Sequence, residues 1–473
     1  MVIIMNSEAL QFEKMTKTPT KKLVIMLGIP TIISMLVTAI YNIADTYFVT
    51  QLGAEPSAAV GVVFPLMAII QAVGFTFGMG SSSLISAKLG EKKGDEAQKI
   101  GSSAFYIAIS IGVLITLISS VFIESLMEIL GATNSVLPYA IDYGRYIIYG
   151  FPIMIASFVM NNILRAEGKS KLAMIGLTTG GILNIILDPI FIYNLNLGTS
   201  GAAIATLISQ TVSFLILLSM FVFKKSIITL SIKKVTKKLS IYLEIFKVGL
   251  PSFCRQGLAS IAVTLLNNQA GTYGDAAALS AISIVSKIFT VIFSVGLGIG
   301  QGYQPVCGYN YSAGYYKRVK ESMLFTLVFG TILMTSLCIL SYIFAEEAIA
   351  FFAKEAKEKE LIIKIGSQAL RYQCIALPFL SLNVITNMTF QSIRKKLLAT
   401  ILSCCRQGIF FIPLVLILPF LFELTGVELV QAISDFCTFL ITIPFYIWFV
   451  KDINKKIKEN EIKQELYIEK AYN

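Results

Sequence analysis

A chain of 473 residues that is 55% hydrophobic and only 14% charged, with a mean hydropathy of +0.75, lies far outside the range of water-soluble domains and reads as a polytopic membrane protein. The formal charge of +11 would suit a nucleic-acid partner, but the basic residues gather in short loops between apolar runs, as topology signals do. There is no His, so the commonest metal ligand and proton shuttle is missing and any proton carried must ride on carboxylates; the seven cysteines show no metal-ligand spacing, which predicts free thiols.

The first twenty or so residues are polar and basic, and an apolar run of about 27 residues follows from Leu23. That run is too long for a signal-peptide core and lacks a small-residue cleavage site, so it reads as an uncleaved first span. Further windows predict spans near 23–50, 56–86, 99–122, 138–163, 170–193 and 199–223, then 245–268, 277–305, 319–345, 362–390, 396–421 and 425–450. The chain divides accordingly into a cytoplasmic N-terminal segment (1–22), a first lobe (23–223), a basic cytoplasmic linker (224–244), a second lobe (245–450) and a cytoplasmic tail (451–473). Thirty of the 39 Lys and Arg residues fall in the two terminal segments and in the loops after the even-numbered spans. The loops after the odd-numbered spans hold only Lys354, Lys357, Lys359 and Lys364, all in one acid-rich loop, so both termini are expected in the cytoplasm.

The halves repeat each other. Gly28, Pro30 and Gly53 recur as Gly249, Pro251 and Gly274 (251 − 30 = 221), and Arg145, Tyr146, Pro152 and Asn161 recur as Arg371, Tyr372, Pro378 and Asn387 (378 − 152 = 226). Six spans is an even number, so each half starts and ends on the same side and the repeats are parallel. The expected fold is an all-α polytopic membrane protein with twelve transmembrane helices in two six-helix lobes related by a parallel pseudo-twofold repeat. Two similar lobes rocking about a central site suit a transporter better than a receptor or an embedded enzyme.

Within span five, the run from Gly180 to Tyr193 places Asn184 and Asp188 one helical turn apart on one face, with Pro189 behind them. Pro189 has no N–H, so it should free the Ile185 carbonyl and bend the helix, and Pro30 marks a second expected kink in span one. An ionisable residue inside a membrane helix is costly and is usually kept for function. Two readings are open for this stretch: a cradle for a small cation, or a kinked core helix whose Asp is satisfied by a neighbour. Counting about 1.5 Å per residue, Asp45 in span one, Asp188 and Thr206 in span six share a depth of roughly 10 Å below the outer surface, which favours a common ion or proton site. Asp45 capping a helix end near the interface is the competing explanation.

The Pro30 helix ending in NIADTYFVTQLG, the FGMG of span two, the NNILRAEG after span four, and NIILDPIFI followed by GTSGAAIATLISQ together resemble the multidrug and toxin extrusion (MATE) family. The resemblance covers residues 15 to 455, and the YNIADTYFV stretch is most similar to the bacterial MepA-like branch. It implies twelve helices in two V-shaped lobes and export of amphipathic, mostly cationic compounds coupled to H+ or Na+. It also implies that Asp45, Asn184, Asp188 and Thr206 form the first-lobe cation site, where Na+ could bind, with Tyr143 a nearby aromatic. Some members carry second-lobe acids in spans seven and ten; here those spans offer Arg255, Asn267, Asn268, Arg371 and Gln373, which puts a second-lobe sodium site in doubt. The repeat partner of Asp188 at an offset of 226 is Leu414, so the coupling chemistry is expected in the first lobe.

The second lobe embeds Arg255, Lys287 and Arg406, with Asp435 in span twelve as the one nearby acid. They should pair with Asp435 or with helix-end carbonyls, or else face the cavity and shape which drugs fit. Gln71, Asn161, Asn162, Gln256, Asn383 and Asn387 are candidates for the cavity lining or for bonds between helices. No cofactor is expected beyond the coupling ion. The expected partners are small amphipathic drugs or dyes and membrane lipids, with no nucleic acid, and a monomer in the plasma membrane. An exporter of lipid-linked or polysaccharide precursors is the rival transporter reading. A membrane-embedded enzyme would need a catalytic constellation, and no His, Ser–Lys, Cys–Cys or clustered loop acids supply one.

Overall fold

The computed structural model describes the backbone of residues 2–353 and 358–472; Lys354 and Lys357, and the side chains of residues 2–7, 464 and 466–472, lie outside the described part. Among the described residues every regular element is helical. In chain order these are α1 (Val2–Lys17), α2 (Thr20–Thr50), α3 (Ala54–Gly90), α4 (Gly94–Val121), α5 (Ile123–Ile129), α6 (Leu137–Ala166), α7 (Ser170–Pro189), α8 (Gly198–Val222), α9 (Leu239–Tyr273), α10 (Ala276–Ser312), α11 (Tyr316–Ile343), α12 (Ala345–Phe352), α13 (Lys359–Ser392), α14 (Lys396–Cys404) and α15 (Phe411–Tyr472). Wide π turns extend α7 over Ile190–Asn194 and join α14 to α15 over Cys405–Ile409.

Ten of the described stretches are long and apolar enough to cross a membrane, and one of them, Lys396–Lys463, contains two spans. Glu423 breaks it with φ 51° and ψ −132°, and at Gly426 a Cβ would stand 2.1 Å from the Leu418 carbonyl oxygen, so the chain doubles back there. The 35-residue α9 is long enough to be the remaining span, although Glu244, Lys247 and Arg255 make it less apolar. The twelve spans of the MATE-like fold are therefore all helical.

Contacts gather the chain into two compact units whose borders fall inside helices. One comprises Met1–Gly28, Ser86–Lys93 and Ala262–Asn473, and the other Ile29–Ile85 and Gly94–Ile261. At the heart of each lies its most enclosed span, α6 in the second unit and α13 in the first, with 78% of the apolar window buried in both. The repeat is visible in their bonding. Asn161 on α6 donates to the Ala173 carbonyl at 2.8 Å, and Asn387 on α13 donates to the Ala399 carbonyl at 2.7 Å, both residues of each pair being offset by 226 (387 − 161 and 399 − 173). An amide that bridges two spans removes a polar group from hydrocarbon and fixes their register at once.

Two segments that the hydropathy pattern leaves unassigned are tied down by polar groups. In the first unit, the polar N-terminal stretch folds as α1, and Met15 is buried there. Arg318 holds its end by donating to the Thr18 carbonyl at 2.5 Å, and Asn310 donates to the Met15 carbonyl at 3.1 Å. In the second unit, the linker is strapped along α4: Ser102 donates to the Thr229 carbonyl at 2.7 Å and accepts from the Ser231 amide, and Ser103 accepts from the Thr236 amide. The buried carboxylate of Glu167 accepts from Ser226 Oγ and from the amides of Ile227 and Ile228, which satisfies backbone donors that no helix serves. The basic linker ends where α9 begins at Leu239, a few residues earlier than the sequence pattern suggested.

Candidate functional site

All five residues expected at the first-lobe site lie in the unit that contains Ile29–Ile85 and Gly94–Ile261. Asp45 comes from α2, Tyr143 from α6, Asn184 and Asp188 from α7, and Thr206 from α8. Small residues bring these helices close enough. A Cβ on Gly180 would meet Ser213 Cβ at 2.7 Å, one on Gly181 would meet Val37 Cγ1 at 2.6 Å, and one on Gly201 would meet the Phe191 carbonyl oxygen at 2.5 Å. Without side chains there, α7 lies against α2 and α8 at backbone distance, and the polar groups one turn further along meet.

Asn184 is the hub of the cluster. Its Nδ2 donates to Asp188 Oδ1 at 3.0 Å and to Thr206 Oγ1 at 3.2 Å. Tyr143 donates its hydroxyl to Asp45 Oδ2 at 3.0 Å, and Asp45 lies near enough for its charge to act on Asp188. Asn184, Asp188, Tyr143 and Thr206 are all buried, and Asp45 is half-buried. Three oxygens in the cluster are nevertheless buried without a hydrogen-bond partner: Asp45 Oδ1, Asn184 Oδ1 and Asp188 Oδ2. Buried polar atoms are nearly always satisfied, so three orphaned acceptors together call for a positively charged guest. Two carboxylates, an amide oxygen and a hydroxyl form a hard-oxygen donor set, suited to H+ or Na+ and unsuited to a soft transition metal.

Pro189 does more than bend its helix. With no N–H to keep the regular ladder, the chain passes into the wide turn Ile190–Asn194, closed by the Leu195 amide on the Ile190 carbonyl at 2.9 Å. Tyr193 in that turn donates to the Phe48 carbonyl at 2.7 Å and so pins it beside the end of α2. Pro30 stands inside an unbroken α2, with its carbonyl accepting from Ser34 Oγ at 2.9 Å. Sequence reasoning passed over Tyr41, which sits one turn before Asp45 on α2 and is buried. Its spacing of four from Asp45 was the available signal.

The embedded charges of the second half fall in both units. Arg255 falls in the same unit as Asp45, where its Nη2 reaches Ser252 Oγ at 3.4 Å. In the other unit, Arg406 sits in the wide turn Cys405–Ile409 and clasps buried Asp435, Nε to Oδ1 at 2.6 Å and Nη2 to Oδ2 at 3.4 Å. Its guanidinium also lies 4.0 Å from the centre of the Phe293 ring. Lys287 on α10 is half-buried. Glu428, seven residues before Asp435 on the same helix, is also buried. It was not singled out from the sequence.

Twelve spans in two repeats, with an acid cluster buried inside one unit, define a membrane carrier of the repeated-lobe kind. The chain matches the MatE family over residues 30–190 and 251–417, and it belongs to that family. Among its relatives, the multidrug export protein MepA of Staphylococcus saprophyticus is 27% identical over 402 residues, covering 85% of this chain and 87% of that protein. MepA of Staphylococcus aureus is 27% identical over 414 residues, covering 87% and 90%. A crystal structure of a MATE protein in complex with MaL6 superposes with a TM-score of 0.88 at 28% identity, covering 94% of this chain and 99% of that one. An outward-facing multidrug resistance MATE family transporter of the MOP superfamily gives 0.87 at 28% identity, covering 94% and 98%. The chain is thus a multi-pass membrane transporter.

Proposed function

We propose that this transporter exports amphipathic, mostly cationic compounds across the plasma membrane in exchange for H+ or Na+, with both termini in the cytoplasm. The observation that carries the reading is the set of three unpartnered oxygens on Asp45, Asn184 and Asp188. Two acids enclosed together repel each other, so the pair is at ease only with a proton, a metal cation or a cationic compound nearby. Ion uptake from outside neutralises the acids and loosens the hold on a cationic drug, which leaves outward. Ion release inside restores the charge and favours the next drug. Ion and drug bias the carrier toward opposite states, and rocking of the two lobes then couples them as an exchange. The relatives are named multidrug export proteins, which supports the export of drugs.

An exporter of lipid-linked or polysaccharide precursors would need open cationic groups for a phosphate. Arg406, the most deeply embedded of the candidates, is committed to Asp435, which weakens that reading.

The test is efflux of a fluorescent lipophilic cation from cells expressing the wild type or Asp188→Asn at equal protein levels, with proton and sodium gradients collapsed separately. Export by the wild type alone, abolished by one ionophore, is the expected result and names the ion. Unimpaired export by Asp188→Asn would make Asp188 a structural acid and refute the reading.

A further inference from the structure

The unit without the Asp45–Asp188 cluster holds a carboxylate that the exchange cycle does not use. Glu428 follows the Glu423 break on α15 and is 4% exposed, with Oε2 buried and without a hydrogen-bond partner. It lines a cavity of about 330 Å³ together with Asp275, Lys364, Gln368 and Leu424. Its neighbours are engaged elsewhere. Asp275 Oδ1 accepts from the Ala278 amide at 2.9 Å as the cap of α10, and Gln368 Nε2 donates to Tyr372 at 3.1 Å. The charged groups that line the cavity with it are Lys364 from α13 and Asp275 ahead of α10; on its own helix stand Glu423, five residues before it, and Asp435, seven after, which holds Arg406. Lys364 is exposed and forms no ion pair with Glu428, and Arg406 is bound to Asp435, so neither cation serves Glu428.

The same helix face carries the polarity inward. Gln431, three residues on, has its Nε2 buried and unpartnered, and its Oε1 accepts from Gln407 Nε2 at 3.4 Å. Gln407 Oε1 is itself buried and unpartnered. A carboxylate oxygen thus stands orphaned beside a cavity open to small guests, with an orphaned amide oxygen on Gln407 further inward, a costly arrangement for a bare anion.

We propose that Glu428 is a second monovalent-cation site, taking up H+ or Na+ from this cavity, separate from the Asp45–Asp188 cluster. Its role in the transport cycle rests on the exchange reading, but its existence does not. Under that reading, the carrier loads two acids in different units, and Glu428→Gln lowers the number of ions moved per drug while leaving the other site intact.

Full-length protein in lipid nanodiscs, treated with N,N′-dicyclohexylcarbodiimide and analysed by peptide mass spectrometry, decides the matter, because this reagent modifies protonated carboxyl groups in apolar surroundings. Glu428 should be modified in the wild type and equally in Asp45→Asn/Asp188→Asn, at a rate that falls about tenfold per pH unit on the alkaline side. Protection by NaCl but not by choline chloride identifies Na+ as a guest, and equal rates in the two salts identify the proton alone. Absence of modification at Glu428 across the pH range overturns the proposal, as does its loss in the double variant. Modification at Glu428 in a protein that shows no ion-coupled efflux would leave this site standing and remove the exchange reading instead.

Discussion

In one unit Asp188 shares a helix face with Asn184 and keeps one oxygen unpartnered; in the other, Asp435 has both oxygens within reach of Arg406. The repeat sharpens the contrast, since Arg406 occupies the position that Gly180 holds one repeat earlier (406 − 226 = 180). Glycine lets α8 close on α7 and leaves the nearby acid without a cationic partner. Arginine fills the space and brings a cation that never leaves. An acid served by a tethered cation is structural, whereas one that must find a mobile cation can couple its occupancy to motion.

If that distinction holds, stability and transport should separate at the two sites. Arg406→Met leaves Asp435 buried and unpaired and should lower the stability of the purified protein by about 3–5 kcal/mol, read as a fall in Tm. Combining it with Asp435→Leu should recover most of the loss. Asp188→Asn should shift stability by less than about 1 kcal/mol, because the bond it risks is a single one to Asn184 within α7, while it abolishes efflux. Equal stability losses for Arg406→Met and Asp188→Asn would erase the contrast. Gly180→Val should cost about 1–3 kcal/mol by forcing α7 from α8, and efflux should fall with it; Gly257→Ala, where a Cβ meets nothing within 4 Å, is the silent control. Tyr143→Phe removes a donor that competes with the ion for Asp45 Oδ2, so half-maximal efflux should need up to about tenfold less coupling ion, equivalent to 1.4 kcal/mol. Thr206→Val gives the smallest change, about 0.6 kcal/mol for one hydrogen bond between helices, and efflux within a factor of about three of wild type.

The spans were legible in the sequence because hydrocarbon demands long apolar helices, and the repeat was legible because Asn161 and Asn387 keep the same partners 226 residues apart. Asn184, Asp188 and Pro189 announced themselves as polar and helix-breaking groups in an apolar run. What escaped was tertiary. The fold of α1 depends on Arg318, some 300 residues away, and no local pattern signals that bond. Glu428 was not singled out, because its burial comes from packing that no local pattern shows. Arg406 and Asp435 were each visible, and pairing was one of the expectations for them, but only packing shows that the guanidinium also lies over an aromatic ring.

The wide turn after Pro189 stores one residue more per turn than the α-helix before it. Such a surplus is a slack stitch that can be passed along the strand of helix without breaking the chain. Were it to move back by one turn, the residues it crosses would rotate by about 100° each against their neighbours. Asp188 would swing away from Asn184 while Asn184 kept its hold on Thr206. The cluster therefore sits beside a stored residue, anchored by Tyr193 at Phe48, and any shift of that surplus along the helix would present or withdraw one carboxylate.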